Sequence, residues 1–335
     1  MRPARAVVLH GAVPPDAPAA DRDTLLQADA VAEALATLGW QVERLALTLD
    51  LEAAAGRLRA LAPAFAFNLV EAVAGRDSLL PLGPMLLDAL GIPYTGCRSR
   101  ALLATTDKLL AKRMMRAAGV PTPDWLEGDP PAPGAGGAPA SRCIVKSVTE
   151  HASFGLDAAA VVPAAEAPAL VAARRARHGG DWFAEAYVEG REFNLSLLAG
   201  PGGPQLLPAA EIEFRGFAPG EPRILGHAAK WDEGSDLYRR TPRRADFADA
   251  DRPLLDRLAA IALSCWRLFD LSGYARVDFR VDAAGNPFVL EVNANPCLSP
   301  DAGFMAAAER AGLGFVDVIR RIVADATAQF DLRFS

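Results

Sequence analysis

The N-terminal third of the chain alternates strand-forming runs with amphipathic helices, and that rhythm is its strongest constraint on fold. Parallel strands cannot be joined by a tight hairpin. They need a crossover, usually helical, so repeated strand–helix–strand units predict a parallel, doubly wound α/β sheet. AVVLHG (6–11) is an apolar run ending on glycine and reads as the first strand. Residues 24–39 place Leu25, Ala28, Val31, Leu35 and Leu38 at helical spacing and stop at Gly39. WQVERLAL (40–47) and FAFNLV (65–70) read as the next strands. Residues 78–91 become helical toward their end, and IPYTG (92–96) reads as a short strand. No GxGxxG follows the first strand, so a dinucleotide site there is unsupported.

Residues 105–119 read as one helix with a Thr/Asp start and a Gly stop, and 120–141 as a loop rich in Pro, Gly and Ala. From residue 142 the pattern turns α+β: strands CIVKSV, WFAEAYV and EFNLSLLA, helices near 163–177 and 252–269, a polar segment at 231–244, and a last helix at 314–328. Three regions are expected, 1–100, 101–188 and 189–335.

The segment 274–293 predicts a hairpin, YARVDFRV turning through DAAGN into PFVLEVN. Period-two alternation puts Tyr274, Arg276, Asp278 and Arg280 on one face and Ala275, Val277, Phe279 and Val281 on the other. On the second strand, Phe288, Leu290 and Val292 are expected to share one face and Val289, Glu291 and Asn293 the other. With a loop at Ala283–Asn286, Asp278 falls opposite Glu291. Opposed like charges destabilise a sheet and call for a cation. Two readings stand: a surface neutralised by Arg276 and Arg280, or an oxygen-ligated Mg²⁺ site.

Net charge is −6, which argues against general nucleic-acid affinity. Four scattered cysteines without a CxxC suggest a reduced compartment. No apolar run approaches the ~18 residues needed to cross a bilayer, so a cytoplasmic location without membrane partners is expected. Lys146 interrupts an apolar strand ahead of the small, polar loop TEHASFGLD (149–157); snorkelling from a sheet edge and phosphate contact are both open to it. Lys108 opens a helix, where a cation opposes the dipole. Glu185 and Glu192 are isolated acids on strands. The four histidines lack zinc-ligand spacing, and no histidine stands near Cys297 in sequence, so neither zinc nor a catalytic thiol is expected.

In order and spacing, LLDALGIPYTG, TTDKLLAKRMMRAAGVPTPDW, CIVKSV…FGLD, FAEAYVEGREFNLSLL, GYARVDFRVDAAGNPFVLEVNANP and SPDAGFMAAAERAGL resemble the ATP-grasp superfamily and, within it, the D-alanine–D-alanine ligase group. The likeness runs from about residue 65 to 325. It implies an ATP-grasp fold behind an N-terminal doubly wound domain, and an ATP-dependent carboxylate–amine ligase that forms an acyl phosphate and releases ADP and phosphate. By resemblance, Lys108, Lys146 and Lys230 contact nucleotide phosphates, Glu185 the adenine side and Glu192 the ribose. Asp278, Glu291 and Asn293 match ligands of two Mg²⁺ ions, for which Mn²⁺ can substitute. Arg276, Lys230 and the lid residue Ser153 are the expected catalytic groups, the lid being 149–155. Small amino acids or carboxylates are the implied substrates, and a homodimer the implied assembly.

The substrate-facing stretches depart from that group. FNLVEAVAGRDS (67–78) has Asn68 and Glu71 where the family carries a His-Gly motif. The lid reads His151-Ala152-Ser153-Phe154 without the usual Gly-Ser-Ser. The family's Pro-Gly-Met-Thr turn after the metal strand is replaced by NPCLSPDAGF, which contains Cys297; the Ser-Leu pair that normally reads the acceptor carboxylate has no clear match, and Ser299, Asp301 and Ala302 fall nearby. The first amino group would fall to Asp21 or Asp23. These departures predict substrates other than a D-alanine pair, with Asp301 favouring a basic or hydroxyl-bearing amine. A genuine D-alanine–D-alanine ligase and a non-catalytic nucleotide-binding module are the alternatives.

Overall fold

A computed structural model describes residues 4–334 except 15, 18, 129–131, 134–140, 227–229 and 231–233, with the side chains of 19–21, 132 and 329–334 also outside the description. Among the described residues the strands form three sheets. The first contains β1 (Arg5–Gly11), β2 (Gln41–Leu47) and β3 (Phe65–Leu69), all parallel, in the order β2-β1-β3. Crossovers α1 (Ala19–Thr37) and α2 (Leu51–Leu61) join them, and α3 (Leu82–Leu90) follows. Both faces are buried: Ala6, Val8, Phe65 and Phe67 belong to one core, Val7, Leu9 and Ala66 to another. Two-sided burial explains why β1 and β3 read as largely apolar runs, whereas the edge strand β2 is mostly not buried.

The strand expected at 92–96 is a single bridge, Ala66 to Tyr94. Pro93 has no N–H to donate, though its carbonyl accepts from Ala66 N at 2.8 Å, and Gly96 at φ +82° turns the chain away. The helix expected over 105–119 is two, α4 (Ser99–Thr106) and α5 (Lys108–Ala117). Asp107 breaks it with extended backbone (φ −79°, ψ 99°) and caps α5 by accepting from Leu110 N at 2.9 Å.

The second sheet holds β4 (Trp125–Glu127), β5 (Ala132–Pro133), β6 (Arg142–Ser147), β7 (Val161–Pro163) and β8 (Trp182–Ala186), in the order β5-β4-β8-β6-β7. β4 and β5 lie within 120–141, which reads as loop in sequence; Trp125 is wholly buried, and pairing with β8 overrides the local turn residues. The helix α6 (Ala167–His178) covers one face.

The third sheet comprises β9 (Arg191–Leu198), β10 (Gln205–Leu206), β11 (Ala210–Ile212), β12 (Arg243–Arg244), β13 (Tyr274–Val281) and β14 (Pro287–Asn293). Its path is β12-β11-β9-β13-β14, with β10 beside β9. The polar segment at 231–244 holds β12 and the short helix α7 (Asp236–Arg240). One apolar face lies under α8 (Arg252–Leu268) and joins the core beneath β1 and β3. The last helices, α9 (Gly303–Arg310) and α10 (Phe315–Phe334), complete the core that α1 covers. N- and C-terminal regions thus share two cores, while the second sheet has small cores of its own.

Asp278 does pair with Glu291, but strict alternation on β14 does not hold. The register shifts after Asp278, so Phe279 faces Val289 and Leu290 is the extra residue of a bulge. Val289 enters the core beside Val292, and Leu290 turns toward the opposite face. Pro121 and Thr122 stabilise the distorted edge: Val289 N donates to Pro121 O at 2.8 Å and Thr122 Oγ1 donates to Val289 O at 2.9 Å.

Where N- and C-terminal regions meet, Gly273 (φ +66°) lies against Gly96; a Cβ on Gly273 would come within 2.7 Å of Gly96 Cα. Gly273→Ala combines left-handed strain with a backbone clash, and is expected to lower stability by about 2 kcal/mol or more. Urea unfolding monitored by circular dichroism checks this; an unchanged midpoint would contradict it.

Candidate active site

A cleft of about 1700 Å³ runs between the second and third sheets and reaches the C-terminal ends of β1 and β3. Lys108, Lys146, Glu185, Glu192, Lys230, Arg276, Asp278, Glu291 and Asn293 all line it, as do Ser153, Glu71, Cys297, Ser299 and Asp301. Asp21 lies in the first turn of α1, and its side chain is outside the described residues.

At the second sheet, Glu185 is 1% exposed and clamped between two lysines. Its Oε2 lies 2.9 Å from Lys112 Nζ and its Oε1 meets Lys146. Burial pushes this carboxyl up, but Lys112 and Lys146 outweigh burial and hold it below its ordinary range. Lys112 also donates to Thr122 Oγ1 at 2.8 Å. Sequence reasoning missed Lys112, although it stands one helical turn after Lys108 and therefore on the same face. Glu192 pairs with Arg280 at 2.9 Å, as their facing positions on β9 and β13 require.

The floor of the cleft is the polar face of β13 and β14. Asp278 accepts from Arg276 Nε at 2.7 Å and Nη2 at 2.8 Å, from Asn194 Nδ2 at 2.6 Å and from Asn293 Nδ2 at 3.1 Å. Arg276 therefore neutralises one of the opposed carboxylates. Glu291 accepts from Asn293 at 3.3 Å and has no cation within 4.0 Å among the described residues. Burial raises its pKa, yet Lys108 and Lys230, with His151 and Arg276, outweigh that and hold it well below the usual carboxylate range. Burial pushes Lys108 and Lys230 down, and Glu291 pulls both back up. Glu291 is thus an ionised carboxylate whose nearby cations are not in contact with it.

The loop 149–155 crosses above. Asp77 accepts from His151 N at 2.6 Å, Lys108 Nζ donates to Glu150 O at 2.8 Å, and Ser153 Oγ donates to Leu225 O at 2.8 Å. Gly155 has φ +66°, and a Cβ there would meet the Trp182 ring at 2.7 Å, so this turn needs glycine. Burial, then Lys108, bring His151 down to about 3, so it is neutral at physiological pH.

At the far end, α1 meets the turn after β14. Asp23 accepts from Ser299 Oγ at 2.7 Å and from the Cys297 thiol at 3.0 Å. Gln27 donates to Glu71 at 3.0 Å and accepts from Leu298 N at 2.8 Å. Burial, then Glu71 and Asp23, push the Cys297 thiol well above its ordinary pKa, so it is not a thiolate at neutral pH. The Asp301 side chain is exposed. Gln27 was invisible as a site residue in sequence; its one signal is a polar residue beside Ala28 and Val31 on the buried side of α1.

Residues 139–324 match the family model described as the D-ala D-ala ligase C-terminus. A D-alanine–D-alanine ligase of Moorella thermoacetica is 32% identical over 318 residues, spanning 91% of this chain and 95% of that protein. The chain belongs to the D-alanine–D-alanine ligase family. One of the Synechococcus members is 33% identical over 246 residues, spanning 72% of this chain and 70% of that one. The crystal structure of the Bacillus anthracis D-alanine–D-alanine ligase complexed with ATP shares the fold at a TM-score of 0.73 and 19% identity, over 98% of this chain and 99% of that one. As a member of this ATP-grasp family, the protein is an ATP-dependent carboxylate–amine ligase that forms an amide bond and releases ADP. No helix among the described residues is long and apolar enough to cross a membrane.

Lys112→Met keeps the volume but leaves Glu185 one cation short, and is expected to lower stability by about 3–5 kcal/mol. Glu185 has a folded pKa below its unfolded value. Its contribution is therefore present above the ordinary carboxylate range and is lost as pH falls through that range toward the depressed value. Denaturation from pH 7 to 3 should show the acid limb flattened in Lys112→Met; an unchanged limb would refute this role.

Proposed function

We propose that the enzyme joins two amino acids, or an amino acid and a related carboxylate, at the cleft floor, with substrates other than a D-alanine pair. The observation that carries this reading is Glu291, held ionised with no cation in contact with it among the described residues, beside Asp278 and Asn293 and in one cleft with Lys108, Lys146, Lys230 and Arg276. The donor set of two carboxylates and an amide is all oxygen and suits Mg²⁺, with Mn²⁺ as a substitute. When bound, such ions would neutralise charge on the nucleotide phosphates. Asp278, Glu291 and Asn293 would hold them.

In the reaction, an oxygen of the donor carboxylate attacks the γ-phosphorus, and the bond to ADP breaks with its electron pair going to ADP. The amine then attacks the acyl carbon, phosphate leaves with the C–O pair, and the amine gives up a proton. Lys108, Lys146 and Lys230 supply positive charge along the phosphates, with the adenine toward Glu185 and the ribose toward Glu192. Arg276 and a backbone N–H near Cys297 stabilise the oxyanion. Ser153 and its loop keep water from the acyl phosphate. Asp23, whose side chain reaches the turn after β14, takes the amino-group role in preference to Asp21, with Glu71 and Ser299 beside it.

The regions 101–188 and 189–335 would grip the nucleotide behind a 1–100 domain. The acidic net charge of −6 supports an absence of nucleic-acid partners. The family likeness supports a cytoplasmic homodimer. Relatives named D-alanine–D-alanine ligase favour a second reading, a D-alanine pair as substrate.

Glu291→Gln is expected to reduce turnover at least about 100-fold, the effect of losing several kcal/mol of metal-assisted charge stabilisation. EDTA should do the same reversibly. ADP release over a panel of D- and L-amino acids, singly and in pairs, with product mass spectrometry, identifies the substrates. Release confined to D-alanine would favour the second reading.

A further inference from the structure

The acceptor end of the cleft holds an arginine whose guanidinium has no carboxylate partner among the described residues. Each of the other arginines lining the cleft has a carboxylate partner. Arg239 pairs with Asp236 at 3.6 Å, Arg276 with Asp278 at 2.7 Å and Arg280 with Glu192 at 2.9 Å. Arg243 has none within 4.0 Å among the described residues. Its contact is one bond from Nη1 to the carbonyl of Asp301 at 3.3 Å. The contrast with its neighbour is sharp: Arg244, on the same two-residue strand, meets Glu211 and Glu213.

Its setting suits an anion. Gly303, first residue of α9, lies against the guanidinium; a Cβ there would sit 3.4 Å from Arg243 Cζ and Nε, at ordinary van der Waals contact, so the guanidinium packs beside the helix start. Arg243, Arg276, Cys297 and Ser299 line the same cleft, beside the turn after β14. The side chain is more than one-third exposed, into the cleft, and so is open to a ligand.

We infer that Arg243 binds the carboxylate of the acceptor amino acid and takes over the selection of a carboxylate-bearing amine. A planar guanidinium matches a carboxylate bidentately and orients it as well as attracting it. With the carboxylate held there, the amine points back toward Arg276 and the acyl phosphate. The acceptor is therefore an α- or β-amino acid and not a simple amine. This inference rests on the ligase reading of the cleft.

The test separates the two. Native enzyme and Arg243→Gln are compared with three acceptors: an amino acid drawn from the panel above, its carboxamide, and hydroxylamine, which traps the acyl phosphate as a hydroxamate without needing a carboxylate. Arg243→Gln is expected to raise the KM for the amino acid about 10- to 100-fold, the range for a lost charge-assisted pair. Hydroxamate formation and the KM for ATP should stay within about 2-fold of native. Preference for the amino acid over its carboxamide should collapse, and Arg243→Lys should restore part of it. Unchanged preference in Arg243→Gln, with native-like hydroxamate formation, would overturn the inference while leaving the ligase reading intact. Absence of hydroxamate and ADP in the native enzyme would overturn both.

Discussion

Asp278 and Glu291 face each other across an antiparallel pair whose opposite face is core, and the like charges cannot separate without breaking that core. Val277, Phe279, Val289 and Val292 fix the parity of the strands by burial. The carboxylates are thereby forced to one side, where repulsion has to be relieved by cations. Arg276 relieves it at Asp278 through a two-point contact. At Glu291 the lysines act without touching, which leaves an ionised oxygen donor at the cleft floor. Much of the remaining architecture supplies positive charge to that floor: α5 brings Lys108, β6 brings Lys146, and Lys230 comes from the segment preceding α7.

A second clamp sets the opposite wall. Glu185 is fully buried and would be intolerable alone, but Lys112 and Lys146 reach it from a helix and a strand of different parts of the chain. The pair ties α5 to the second sheet, and Thr122 extends the tie through Lys112 to the backbone of Val289 at the bulge. The nucleotide wall and the metal-strand bulge are therefore mechanically linked. At the third corner, Tyr274 donates to Asn295 at 2.7 Å and Asn295 donates to Val70 O at 3.2 Å, so the turn after β14 is pinned to the N-terminal sheet. That pinning places Cys297 and Ser299 beside Asp23.

Much of this was legible in sequence because burial imposes periodicity. The parallel N-terminal sheet, the hairpin and the Asp278–Glu291 pairing follow from runs of apolar residues and a turn of known length. The failures have specific causes. The bulge at Leu290 hides from a period-two reading because one extra residue preserves composition while reversing faces. β4 and β5 hide in a Pro- and Gly-rich stretch because pairing of β4 with β8 and of β5 with β4, and not local propensity, makes them strands. Asp107 reads as part of a helix start, yet the structure uses it as a break between two helices.

By itself the sequence determined the chemistry available: hard oxygen donors on one strand face, lysines in apolar surroundings, and a net charge of −6. It also determined the order of elements, since hydrophobic spacing is local. Only the tertiary structure decided which charges meet. Lys112 reaching Glu185, Asp23 reaching Ser299, and Arg243 reaching the carbonyl of Asp301 are contacts between segments far apart in sequence. Their energies depend on distance and on exclusion of water, and neither quantity is written in the spacing of residues along the chain.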